Sequence, residues 1–76
     1  MYLVYALKNK SGRIYVGLTK DIDRRLNEHN SGRVFSTKGY KPWWLLYRER
    51  AVDRPAARKR EKYLKSGVGK EFLKAL

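Results

Sequence analysis

Aromatic and aliphatic residues crowd Tyr2–Lys8 and return in Arg13–Leu18, and both runs read as β-strands. The polar segment Asn9-Lys10-Ser11-Gly12 between them supplies a turn, so the two form an antiparallel hairpin. Side chains alternate faces along a strand, so the loop length decides which of them meet. A three-residue loop, Lys10-Ser11-Gly12, with Gly12 in the left-handed conformation, places Tyr5 and Tyr15 on one face. A two-residue loop would separate them. Beyond the hairpin, Thr19 and Asp21 are cap candidates for a helix over Asp21–Asn30, which Gly32 stops. At about 100° per residue Ile22, Leu26 and His29 share a stripe with Arg25 at its edge, whereas Arg24 points away. Arg25 and His29 therefore project from the same side, one turn apart.

Residues 31–42 are polar, contain Gly32, Gly39 and Pro42, and read as a loop. Trp43–Glu49 predicts a third strand, apolar enough to be largely buried. Pro55 suits the first turn of a second helix capped by Asp53 or Arg54. Its inward stripe is Ala57, Glu61, Leu64 and then Val68. Gly67 and Gly69 are expected to break it, leaving Lys70–Leu76 as a short third helix or a frayed end. The pattern predicts one α+β domain over residues 1–76, a three-stranded antiparallel sheet flanked by two or three helices.

Composition narrows what such a domain does. With 76 residues it has a small core, and with no cysteine it has no disulfide, no disulfide-linked partner and no thiolate metal site. That composition fits a reducing cytoplasm. Nineteen Lys and Arg against seven Asp and Glu give a net charge of +12, an attractive field for phosphate backbones. Nucleic acid is the expected partner. A membrane surface is disfavoured because no segment forms a broad apolar face, and none is long enough to span a bilayer. Six tyrosines lead an aromatic content of 13%, too high for a disordered tail.

Against that charge, Glu61 stands out as an acid on the inward stripe of its helix. A buried carboxylate needs a cation, supplied by Arg, by Lys or by an oxygen-seeking divalent metal such as Mg²⁺. Tyr5 in Leu3-Val4-Tyr5, then Tyr15-Val16-Gly17, Thr19, Arg25, His29 and Glu61 resemble, in order and spacing, the GIY-YIG nuclease domain. The spacing is most similar to the branch shared by the endonuclease domain of the bacterial excision-repair nuclease and its small single-domain relatives. Leu-Val replaces Gly-Ile in the first motif and Val replaces Ile in the second.

This resemblance covers essentially the whole chain, and it implies a metal-dependent DNA endonuclease or nickase in DNA repair. It implies that Glu61 holds one divalent metal, Mg²⁺ with Mn²⁺ as a substitute. Arg25 would neutralise charge developing on the phosphate, Tyr5 or Tyr15 would position or deprotonate the attacking water, and His29 would assist. Arg33, Lys38, Lys41 and Arg58 are candidates for nucleic-acid contact through phosphates, without base specificity. The charge alone leaves RNA open beside DNA. The alternative function is a nucleic-acid-binding module that keeps the fold with weak or no catalysis. Blander roles also exist for single residues: cross-strand packing for the tyrosines, a helix-end role for His29, and an intrahelical ion pair with Arg58 or Lys65 for Glu61.

Overall fold

Gly12 decides how the first two strands meet. In the computed structural model, which describes residues 1–76, its φ is +85°, the left-handed region that a side chain disfavours. The loop is the three-residue one, closed by Asn9 N–H donating to the Arg13 carbonyl (3.1 Å) and Gly12 N–H donating to the Asn9 carbonyl (3.0 Å). The Asn9 side chain fixes it further, accepting from the N–H of Ser11 (3.2 Å) and of Arg13 (2.9 Å). Strand β1 (Tyr2–Asn9) and strand β2 (Ile14–Thr19) consequently pair with Tyr5 opposite Gly17 and Leu7 opposite Tyr15. Both phenols lie on one face, as the odd-loop condition requires.

Strand β3 (Trp43–Ala51) pairs antiparallel with the other side of β1, giving the order β2-β1-β3. The register slips between Ala6 and Leu7, where Leu46 is the extra residue on β3. Here the expectation of a largely buried third strand is corrected. β3 is an edge strand, and only Trp43 and Ala51 on it are buried. Trp44 is 45% exposed.

Apolar side chains fill both faces of the sheet. On one face Tyr5, Leu7 and Trp43 pack with Ile22 and Leu26 of helix α1 (Ile22–Asn30). On the other, Val4, Ala6 and Val16 pack with Ala57 and Leu64 of helix α2 (Arg54–Lys65) and Leu73 of helix α3 (Gly67–Lys74). Asp21 caps α1 by accepting from Arg24 N–H, and Asp53 caps α2 by accepting from Ala56 N–H. Thr19 is not the cap. Its hydroxyl accepts from Asp21 N–H and donates to the Asp21 carbonyl, bracing the turn that leads into α1.

The C-terminal third departs from the expected break. Ser66, with extended ψ, ends α2 and caps α3. Gly67 and Gly69 lie inside α3 and do not interrupt a helix. Gly69 is buried because a Cβ there would collide with the Tyr63 carbonyl and come within 2.5 Å of Leu64 Cα. Its bare backbone lets α3 fold back against α2. Val68, expected on the inward stripe, is 68% exposed, since the new helix starts at Gly67 with a different phase.

The two glycines therefore give opposite results on replacement. Gly69→Ala is expected to cost about 2–3 kcal/mol in denaturant unfolding, as backbone must shift to admit the methyl. Gly67→Ala meets nothing within 4 Å and should leave stability unchanged or slightly raised.

Candidate active site

Tyr5 is 1% exposed, and its ring lies across β2 over Gly17. A Cβ at position 17 would sit 2.7 Å from the Tyr5 hydroxyl and 2.9 Å from Cζ, so the missing side chain is the space the phenol occupies. The hydroxyl lies 3.0 Å from His29 Nε2. His29 is fully buried, and its other ring nitrogen, Nδ1, lies 2.8 Å from Thr37 Oγ1. The Thr37 hydroxyl is in turn within 3.4 Å of the Val34 carbonyl, to which it donates. One proton placement satisfies the whole row: Thr37 donates to Val34, Nδ1–H donates to Thr37, and Nε2 accepts from Tyr5.

Tyr15 completes an aromatic cluster and is only half buried. Its ring centroid lies 4.8 Å from that of His29, edge on, and 6.4 Å from that of Tyr5. Arg25 stands one turn before His29, with Nη1 3.0 Å from Glu28 Oε1. Its side chain is 33% exposed, against 66% for Arg24, which makes only a 4.0 Å approach to Glu28. The helical stripe thus separates the two arginines in the way their phase required.

Burial and charge set the protonation of this group. The Tyr5 phenol is pushed above its ordinary value by burial, with Arg25 opposing. His29 is lowered from 6.5 to about 4, first by burial and then by the Arg25 charge. Both groups are neutral at pH 7.

Glu61 is reached from another direction. It is buried on α2, whose stripe packs on the sheet face opposite Tyr5, and it holds Arg58 (3.0 Å) and Lys65 (3.2 Å). Its charge nonetheless acts on Tyr5 and contributes to raising that phenol. Chemically, the donor set suits a hard cation held by one carboxylate together with substrate oxygens and water. No group of three acidic, His or Cys side chains gathers anywhere in the chain, so a metal caged by protein ligands alone is not built here.

The structure therefore brings Tyr5, Tyr15, Arg25 and His29 together and places Glu61 within their field. Among the proposed phosphate contacts, Arg33, Lys38 and Lys41 lie on the α1–β3 connection, Lys38 with its ammonium 4.9 Å from the Phe35 ring. Arg58 is engaged by Glu61. Thr37 carries no signal in the sequence. It is one hydroxyl in a polar loop, made important by Trp43 Nε1–H donating to its carbonyl (3.1 Å), which pins the loop against the site.

Comparison with known proteins agrees with this geometry. The GIY-YIG catalytic domain matches residues 1–73. The chain belongs to that family. Among its relatives, a UPF0213 protein of Desulfotalea psychrophila is 39% identical over 66 residues, covering 84% of this chain. A UPF0213 protein of Staphylococcus saprophyticus is 34% identical over 76 residues and 99% of this chain. The chain spans 60% of the length of the first and 93% of the second. The solution NMR structure of the UPF0213 protein BH0048 from Bacillus halodurans superimposes with a TM-score of 0.57 at 35% identity, covering 96% of this chain and 82% of that one.

His29 gives the site a signature in solution. Between pH 6.5 and about 4 the unfolded chain binds a proton on its one histidine that the folded state refuses. Stability should then fall as pH falls through that window, by roughly 3 kcal/mol across it. Chemical denaturation of the wild type at pH 7 and pH 5 should show the loss. His29→Phe, less stable at neutral pH, should show a much flatter dependence.

Proposed function

We propose that this protein is a divalent-metal-dependent endonuclease or nickase that hydrolyses phosphodiester bonds in DNA. The observation that carries the reading is the meeting of Tyr5, Tyr15, Arg25 and His29 in one cluster, drawn from two strands and a helix. A packing cluster needs no permanently charged guanidinium beside two phenols and a buried imidazole.

The roles follow from exposure and protonation. Arg25 offers a planar, permanently charged donor fork to the phosphate, strongest as negative charge builds on its oxygens. Tyr15 has exposed surface and meets the attacking water. Its phenol oxygen would take the water's proton as the oxygen–phosphorus bond forms, releasing its own proton to solvent, and the leaving oxygen departs and is protonated by water. Tyr5 is buried and donates to His29, so it fixes the floor of the site and braces Tyr15. His29, neutral with Nδ1–H directed at Thr37, positions Tyr5 and carries no charge of its own. Glu61 is the residue that would hold the cation, Mg²⁺ or Mn²⁺, which when bound supplies positive charge to the phosphate oxygens. With a single carboxylate ligand, metal affinity should be weak until a phosphate joins the site.

The second reading, a binding module on the same fold, draws on the ion pairs that Glu61 already makes with Arg58 and Lys65, which explain its burial without a metal. Cleavage separates the two. Glu61→Gln and Arg25→Ala should each lower Mg²⁺-dependent nicking of plasmid and branched DNA by at least about a hundredfold, while leaving most of the DNA affinity. The wild-type rate should show no inflection from His29 between pH 6 and 7, because that imidazole stays neutral down to about 4. Wild-type protein that binds every DNA form tested and cuts none with either metal would leave only the binding module.

A further inference from the structure

We propose that a basic trough centred on Lys20 is the seat of the nucleic-acid backbone on one side of Arg25. This rests on the nuclease reading for its direction, because Arg25 marks one end. Two concavities meet there. One, of about 340 Å³, holds Arg25 together with Lys20, Arg24 and Arg54. The other, of about 460 Å³, is lined by Lys20, Leu3, Arg48 and Arg50. Lys20 borders both, so it links the concavity that holds the phosphate-neutralising arginine to the one lined by the β3 arginines.

Strand geometry places the far end. Arg48 pairs across from Tyr5 and Arg50 across from Leu3, which puts both guanidinium groups on the Tyr5 face of the sheet. They follow one another at every second residue, roughly 7 Å apart along the strand. That separation is comparable to the spacing of neighbouring phosphates in a nucleic-acid strand.

The cations of the trough are available. Lys20, Arg48, Arg50 and Arg54 take part in none of the five ion pairs of the chain. The one acid in the trough wall, Glu49, is already neutralised by Arg60 at 2.6 and 2.9 Å and accepts from the Tyr47 hydroxyl. Free cations over a floor that includes Leu3, with the Lys20 ammonium 5.1 Å from the Tyr2 ring, suit a sugar–phosphate chain. The free polar groups of the two concavities are cations, suited to phosphate contacts that by themselves carry no sequence information. A free phosphate fits less well, because the trough is open and its one buried polar side chain, Thr19, already spends its hydroxyl on the Asp21 backbone.

Salt dependence tests the trough without requiring cleavage. A labelled duplex of arbitrary sequence is titrated with protein in EDTA at several KCl concentrations. Lys20→Ala/Arg48→Ala/Arg50→Ala should flatten the slope of log affinity against log salt by about 2–3 and weaken binding roughly tenfold or more near 0.1 M salt. Lys62→Ala/Lys70→Ala/Lys74→Ala removes the same charge from exposed positions of α2 and α3 and should leave the slope near the wild-type value. Equal effects from the two triple variants would mean a diffuse field and overturn the proposal, as would a trough variant with the wild-type slope. Loss of binding to phosphatidylserine vesicles with DNA binding intact would reassign the trough to a membrane and also overturn it. Circular dichroism melts check that both variants fold. If the trough variant behaves as expected but the wild type cuts nothing, the nuclease reading alone is lost.

Discussion

The hydrogen bond between the Tyr5 hydroxyl and His29 Nε2 is the constraint on which the rest of the site depends. It joins the central strand to α1 at a place where neither group has access to water. Both partners are buried, so breaking the contact would leave polar atoms unsatisfied, at a cost of order 1–3 kcal/mol for each group. Extending it through Nδ1 to Thr37 recruits the connection between α1 and β3. The central strand, α1 and the connection that follows it are thereby held in one geometry. The contact exists only because Gly17 leaves room for the phenol to lie down across β2.

Around this neutral row the protein arranges its charge. The buried row carries none at neutral pH, in keeping with the cost of isolating an ion from water. Each charged group nearest to it is restrained by a partner: Arg25 by Glu28, and Glu61 by Arg58 and Lys65. Most of the remaining cations are solvated and unpaired, and they supply the field that draws a polyanion. Hence few acids suffice in a chain with net charge +12, because each of Glu28, Glu49 and Glu61 restrains particular basic groups.

How much of this is legible in the sequence depends on whether local periodicity or distant contact fixes the feature. The preference for Arg25 over Arg24 and the inward position of Glu61 both follow from repeat geometry over a few residues, whereas the hairpin parity hung on a loop length that Gly12 settles only in the folded turn. The edge position of β3 does not, because an apolar run of strand length says nothing about how many neighbours pair with it. Gly69 reads as a helix breaker and is none, since glycine in a chain signals a break and close helix packing in the same letter. Thr37 has no periodic context at all. The cations at 20, 48 and 50 are hidden by abundance: when a quarter of a chain is Lys and Arg, position in sequence cannot separate a lined trough from ordinary surface.

The sequence by itself determined most of the strands and helices and the inward stripes of α1 and of α2 as far as Leu64. Those properties are set by steric alternation and by the 3.6-residue turn, both of which act over short stretches of chain. Only the tertiary structure decided that His29 lies between Tyr5 and Thr37, that Tyr15 keeps a surface while Tyr5 loses it, and that Arg25 shares a depression with Lys20. Protonation went with that decision. The same imidazole that would titrate at 6.5 in an open chain is held neutral down to about 4 once the sheet, the helix and Arg25 surround it.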